Sequence, residues 1–532
     1  MRDPAPVSGD QSGSRLSRRL LTMFIDARSL PDLSRFEADV AIIGAGPAGI
    51  SLARLFDDSP TRVCLIESGG VQPEAPTQAL YDGESVGIAY PVIAHRLRFL
   101  GGSSNHWGGF CRPLDAIDFE QRDWVPHSGW PFGRETLLPY YERACDLVEI
   151  TPPRFDDKAY WERVTGEPLP DSVTGRMQVR FVHFSPPTHF GERYGSELAA
   201  SRNIDVLLNA NVVNIAAVGE GRHVEHLQLQ TLSGLRHRVS ARVYVLATGG
   251  LENARMMLLS NDSMPAGLGN LHDLVGRFFM EHPHLSGFAE LVVADILRLP
   301  GIYRTRVFAD GRYATAAFNP SESFLRDRHL LNCTFMAGQA GDYHSNVAPN
   351  WERAGSHKAM LEAARHFLID DRRAAILPST LLGHWLGLGC ACEQVPNPDS
   401  RVTLSAQRDA LGLQKLRLDW RLTEQDRLSA LEHMRSLVME IGALDIGRVF
   451  DSGEYDDAWP EIVGGGSHHM GTTRMHDDPR QGVVDPNCKV HGVDNLFVAG
   501  SSVFPTGGAS NPTLTLIALA LRLGDHLKSL LG

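Results

Sequence analysis

Ala38-Asp-Val-Ala-Ile-Ile-Gly44-Ala-Gly46-Pro-Ala-Gly49 is the stretch on which the fold turns. Val40 to Ile43 form an unbroken apolar run, the pattern of a strand buried on both faces of a parallel sheet. The glycines fall at G-x-G-x-x-G spacing. Ile50-Ser-Leu-Ala-Arg-Leu-Phe56 then has helical periodicity, and Arg62-Val-Cys-Leu-Ile-Glu67 reads as a second strand. Gly44 permits the tight turn, Gly46 lets the backbone approach a pyrophosphate, and Gly49 lets helix and strand pack closely. The helix N-terminus turns free N–H groups and its dipole toward the phosphates. Glu67, 18 residues past Gly49, is placed to accept hydrogen bonds from ribose hydroxyls, and its charge disfavours the 2′-phosphate of NADP. This order predicts an α/β fold with a Rossmann-like dinucleotide domain. It does not separate FAD from NAD.

The rest of the chain sets the bounds. Its 532 residues suffice for two large domains or three ordinary ones. With 43% apolar residues it can fill a core, and 21% charge does not read as disorder. Its 51 basic against 63 acidic residues argue against a nucleic-acid partner, which needs a basic face. No window approaches the ~20 apolar residues of a membrane span. Arg15, Arg18 and Arg19 precede an apolar run, Leu20 to Ile25, that Asp26 ends short of the ~7–15 residues of a signal sequence. Residues 1–36 are therefore expected to be an amphipathic lead-in, and the protein to be cytoplasmic. The 7 cysteines are scattered with no C-x-x-C pair, which fits a reducing compartment. Cys390-Ala-Cys392 has the spacing to pair or bind metal, but reads more simply as two core or loop thiols.

Further segments carry the same glycine-rich character. Val243 to Ala247 is an apolar strand, and Thr248-Gly249-Gly250 is a sharp turn into Leu-Glu252-Asn253-Ala-Arg255. Gly101-Gly-Ser-Ser-Asn-His106-Trp-Gly-Gly109 suits neither helix nor strand and reads as backbone pressed against a flat ligand. The third segment runs from Gly464 to the C-terminus and includes Ser-His468-His469-Met-Gly-Thr-Thr-Arg474 and Ser-Asn511-Pro512-Thr513. Together with the N-terminal fingerprint, these segments resemble the glucose–methanol–choline (GMC) oxidoreductase family, and within it the pyranose oxidase and bacterial sugar or glycoside oxidoreductase branch. The motif-bearing parts cover about half of the chain.

The resemblance implies FAD as cofactor and oxidation of an alcohol. It implies that Gly102, Ser103, Asn105 and His106 lie along the flavin ring. His106 matches the histidine that carries the flavin covalently in pyranose oxidases; a hydrogen-bonded loop histidine is the other reading. It implies that backbone at Val213 touches adenine, and that Gly249, Gly500, Pro512 and Thr513 also meet the cofactor. Gly500 stands where many members have Asp.

Adjacent histidines rarely share one metal, and nothing near His468, His469 and His476 completes a zinc site, so no metal is expected. Oxidising an alcohol requires loss of the hydroxyl proton as hydride leaves carbon for flavin N5. A group of near-neutral pKa serves as the base, and by the family pattern it is His468. Asn511 is its expected partner on the substrate oxygen, while Ser510 or Asn511 caps the helix that Pro512 opens.

The FAD-binding domain is expected to be discontinuous, from 37–150, 201–289 and 461–532. A second, α+β substrate domain, built on an antiparallel sheet, is expected from 151–200 and 290–460. Gly287 to Val293, Arg401 to Ser405 and Leu416 to Leu422 read as its strands, Met360 to Ile369 and Gln425 to Ile441 as helices. Gln394, His384, Asn350 and Arg353 are candidates for binding substrate hydroxyls. The expected substrate is a small alcohol, a sugar or glycoside oxidised at a secondary hydroxyl. A non-sugar alcohol, or lyase chemistry on the same scaffold, stays open. The acceptor (oxygen, a quinone or a carrier protein) and the oligomeric state cannot be read.

Overall fold

The computed structural model describes residues 24–293, 295–338, 385–451, 459 and 463–532. The fingerprint strand β2 (Ser34–Ile43) lies in the middle of an eight-stranded sheet. Its buried half pairs in parallel with β3 (Val63–Ile66) on one side and β10 (Arg236–Leu246) on the other. Outside β3 come β7 (Ile204–Leu208) and β1 (Phe24–Asp26), also parallel. On the far side β10 splits: its C-terminal end takes β20 (Leu496–Val498) in parallel. Its N-terminal end takes β9 (His223–Gln230), followed by β8 (Asn211–Val218), both antiparallel. The strand ends of Ile43, Ile66, Leu246 and Val498 thus come together, drawn from four distant parts of the chain. Phe24–Asp26 and the start of β2 fall inside the expected lead-in, because Phe24 to Asp26 find an open sheet edge at β7.

Helix α1 (Pro47–Arg54) follows β2 directly. The turn between them demands glycine. Gly44 has φ +103°, and a Cβ there would stand 2.5 Å from the Ala247 carbonyl oxygen. A Cβ on Gly49 would stand 1.9 Å from the Gly44 carbonyl oxygen, so helix and strand touch backbone to backbone. Helix α2 (Gly249–Leu259) follows β10 in the same way.

A second, antiparallel sheet has nine strands, in the order β18 (Gly447–Asp451), β11 (Pro283–Val293), β15 (Trp385–Cys392), β14 (Cys333–Gly338), β13 (Arg312–Pro320), β6 (Met177–Phe184), β5 (Phe110–Cys111). β12 (Val307–Ala309) joins β13, and β19 (Val463–Gly465) joins β11. Phe110–Cys111 and Val463–Gly465 come from stretches expected in the FAD-binding half, because the chain crosses between the layers there. Arg401 to Ser405 and Leu416 to Leu422 do not join this sheet. β16 (Arg401–Arg408) and β17 (Gln414–Trp420) form a separate three-stranded sheet with β4 (Gly83–Gly87), and β16 packs against α2. β4 claims the free edge of β17 in parallel.

Helix α3 (Glu424–Ala443) covers the expected Gln425 to Ile441 and opens with a capping box between Thr423 and Asp426. Helix α4 (Pro512–Leu531) buries Leu514, Ile517 and Leu521, worth about 1.5–3 kcal/mol each. The expected helix at Met360 to Ile369 lies outside the described residues. Among the described residues no helix is long and apolar enough to cross a membrane.

Candidate active site

A cavity of about 360 Å³ lies where the strand ends meet the antiparallel sheet. The N-termini of α1, α2 and α4 all border it, through Gly46 to Ala48, Thr248 to Gly250 and Asn511 to Thr513. None of these helix ends is capped by a side-chain hydrogen bond. Each leaves first-turn N–H groups and the positive end of its dipole to the cavity. Gly46, Gly249 and Gly500 add bare backbone, with no atom within 4 Å of where a Cβ would be. The lining suits a long ligand with anionic groups at several points, as FAD has.

Glu67 borders the cavity and is buried. Its carboxylate accepts from Ala45 N at 3.0 Å and Gly69 N at 2.9 Å, so it also holds the glycine turn. Tyr81 and Arg98, not singled out from the sequence, line the same end, with the guanidinium 4.8 Å from the Tyr81 ring centre. Arg98 Nε is buried without a partner, and no local motif marks it. Two assignments shift. The wall at β8 is made by Ala210 and Val212, not Val213, because successive strand residues face opposite ways and the register slips between Val212 and Asn214. Asn105 is not in the lining; its amide donates to the Leu100 and Gly102 carbonyls and so shapes the loop. Gly102, Ser103 and His106 do line the cavity.

At the other end stand His468 and Asn511. Asn511 occupies the N-cap position, yet its amide does not cap the helix: Nδ2 donates to His468 Nε2 at 2.9 Å. Ser510 does not cap it either, since its hydroxyl donates to the Pro113 carbonyl. His468 Nδ1 meets His282 Nδ1 at 2.9 Å, and His282 Nε2 meets the Gly507 carbonyl at 3.3 Å. The network assigns the protons. A carbonyl only accepts, so His282 carries its proton on Nε2, and Nδ1 accepts from His468 Nδ1–H. The lone pair of His468 is therefore on Nε2, toward Asn511. Burial first, then His282, His284 and His469, hold His468 well below the ordinary histidine range. It is neutral at neutral pH and able to accept a proton at Nε2.

The loop before His468 is held by a residue that the sequence reading missed. Ser467 has φ +64°, left-handed for a non-glycine residue and costing about 1–2 kcal/mol. Glu281 clamps it from both sides, accepting from Gly466 N at 3.1 Å and His468 N at 2.8 Å. The same carboxylate accepts from His282 N at 2.8 Å and from Tyr90 Oη at 2.6 Å. Burial raises Glu281 to about 7. His469 turns away from His468 and meets Tyr90 Oη at 2.6 Å. Glu281-His282 lies directly before β11, in a stretch that carries no motif matched in the sequence; its role is visible only where that stretch meets the loop at 466–468.

His284, Met336, Cys390, Ala391 and Arg306 line this end from the antiparallel sheet and its approach. Gln394 is fully engaged elsewhere and is not a hydroxyl binder: its Oε1 accepts from Glu281 N and Trp420 Nε1, both at 3.0 Å. His384, Asn350 and Arg353 lie outside the described residues.

Comparison with known proteins agrees with this geometry. Residues 396–520 match the family model described as GMC oxidoreductase. The chain is 34% identical to the C-glycoside 3-oxidase of Arthrobacter globiformis, over 92% of this chain and 95% of that one. It is 25% identical to the 2-methyl-1,2-propanediol dehydrogenase of Mycolicibacterium austroafricanum, over 92% and 95%. Among solved structures, pyridoxine 4-oxidase from Mesorbium loti shares the fold with a TM-score of 0.58 at 19% identity, over 92% of this chain and 99% of that one. Fold and relatives define an FAD-dependent oxidoreductase that acts on CH–OH donors. The chain belongs to the GMC oxidoreductase family.

Proposed function

We propose that this protein oxidises a secondary hydroxyl of a sugar or glycoside, with His468 as the base. The observation that carries the reading is the pairing of an unprotonated His468 Nε2 with the Asn511 amide at one end of the cavity. A substrate hydroxyl entering between them donates to Nε2 and accepts from Nδ2. Bound FAD supplies the hydride acceptor. As hydride leaves the carbon, His468 takes the hydroxyl proton, and Asn511 holds the oxygen as charge develops there. His282 keeps His468 in the tautomer that can act, and accepts from Nδ1–H of the imidazolium that forms. Glu281 fixes the backbone on which both histidines ride.

The substrate class is supported by relatives named for carbohydrate chemistry: the C-glycoside 3-oxidases, a fructose dehydrogenase large subunit and a paromamine 6′-oxidase. A non-sugar alcohol is the second reading, favoured by the 2-methyl-1,2-propanediol dehydrogenase. Anaerobic mixing with hexoses, aryl glycosides, choline, and aliphatic and benzylic alcohols separates the two. The expected result is bleaching of the oxidised-flavin band by the carbohydrates. Bleaching by aliphatic diols alone would transfer the assignment to the second reading, and bleaching by none would favour the lyase chemistry. Readmitting air then distinguishes an oxidase from a dehydrogenase.

A further inference from the structure

Cys390 and Cys392, read from the sequence as core or loop thiols, are joined in the fold by Cys333. In the β14–β15 ladder Cys333 faces Cys392 directly across the strands. Cys390 is two residues from Cys392 on the same strand and so shares its face of the sheet. The three sulfurs are buried and lie within 4.8 Å of one another. Cys333 Sγ is 3.4 Å from Cys392 Sγ, and Cys390 Sγ is 3.9 Å from it. Three thiolates around one ion at the usual 2.3 Å metal–sulfur distance stand about 3.8 Å apart. The two measured separations bracket that value without movement of the backbone.

Cys390 borders the cavity, which gives an ion a path from solvent.

We propose that Cys333, Cys390 and Cys392 form a binding site for a thiophilic d¹⁰ ion, zinc(II) or copper(I). Soft sulfur ligands select these ions over magnesium, calcium or manganese. Binding releases the thiol protons and ties β14 to β15. This inference does not depend on the substrate or on the role of His468.

The test uses the full, FAD-loaded chain, prepared under reducing conditions. It is incubated separately with zinc(II) and with copper(I), desalted, and assayed for metal by mass spectrometry. About one ion per chain is expected to stay with the protein, and competition between the two identifies the preferred ion. C333S/C392S is expected to lose the ion, whereas C488S, a buried thiol outside the cluster, keeps it. Cobalt(II) bound to the wild-type chain gives absorption to the red of the flavin bands, a readout that needs no variant to fold. A wild-type chain that leaves the desalting column empty of both ions and shows no cobalt absorption overturns the proposal. So does a Cys333–Cys392 disulfide in the wild-type chain with no metal bound.

Discussion

The parallel sheet and the antiparallel sheet meet across one cavity, but they are built by different rules. On the parallel side the cavity lining includes residues that follow a strand within a few positions: Gly44 and Gly46 after β2, Glu67 after β3, Gly249 after β10, Gly500 after β20. Function there is a property of strand ends and needs only local order. On the antiparallel side Glu281 and His282 act on a loop nearly two hundred residues later, and the thiol cluster joins two strands with a long insertion between them. Function there is a property of register. One side therefore tolerates change along its strands but not at its turns, and the other is sensitive wherever register or a buried polar partner changes.

The largest effect is expected where two backbones touch. Gly49→Val places a side chain against the Gly44 carbonyl, and the chain should yield no flavin-loaded protein, read from the ratio of flavin to protein absorbance. Next comes His468→Ala, expected to slow flavin reduction by about 10²–10⁴-fold with FAD still bound. Stopped-flow mixing with substrate measures it, and a rate within a few-fold of wild type would remove His468 from the role of base. His282→Ala should cost less, about 10–100-fold, and shift the pH profile of reduction, because His468 is then free to take the other tautomer. An unchanged profile would mean that His282 only packs.

Glu281→Gln sharpens the comparison through pH. Its carboxyl is raised to about 7 in the fold from an ordinary 4.5. Between those values the folded state holds a proton that the unfolded state has lost. The contribution is full below 4.5 and declines as pH rises to about 7, by up to about 3 kcal/mol. Thermal unfolding across this range should fall less steeply with pH in Glu281→Gln than in wild type; parallel curves would show that Glu281 does not titrate there. The smallest effect is expected at β8: Val213→Ala should leave FAD affinity within a few-fold of wild type, while Val212→Trp, on the cavity wall, should weaken it clearly.

His468 and Asn511, distant in sequence and joined in the fold, show how far sequence reading reaches. His468 and Asn511 were both legible, since each sits in a short motif. Their hydrogen bond was not, and neither was the diversion of Asn511 from the capping that its position and residue type suggested. Val213, carried over by resemblance, does not border the cavity, whereas Val212 does, and the register slip between Val212 and Asn214 is invisible in the sequence. Gln394 looked like a free polar group and proved to be a brace for Glu281 and Trp420.

The sequence by itself determined the dinucleotide fold, because glycine at fixed offsets from an apolar strand is dictated by local sterics, while the cofactor and the family followed from the resemblance of its later motifs to a known family. Only the tertiary structure decided which nitrogen of His468 carries the lone pair, which carboxylate steadies its loop and which three thiols meet. Those depend on distances between segments far apart in the chain, which packing sets and no local pattern records.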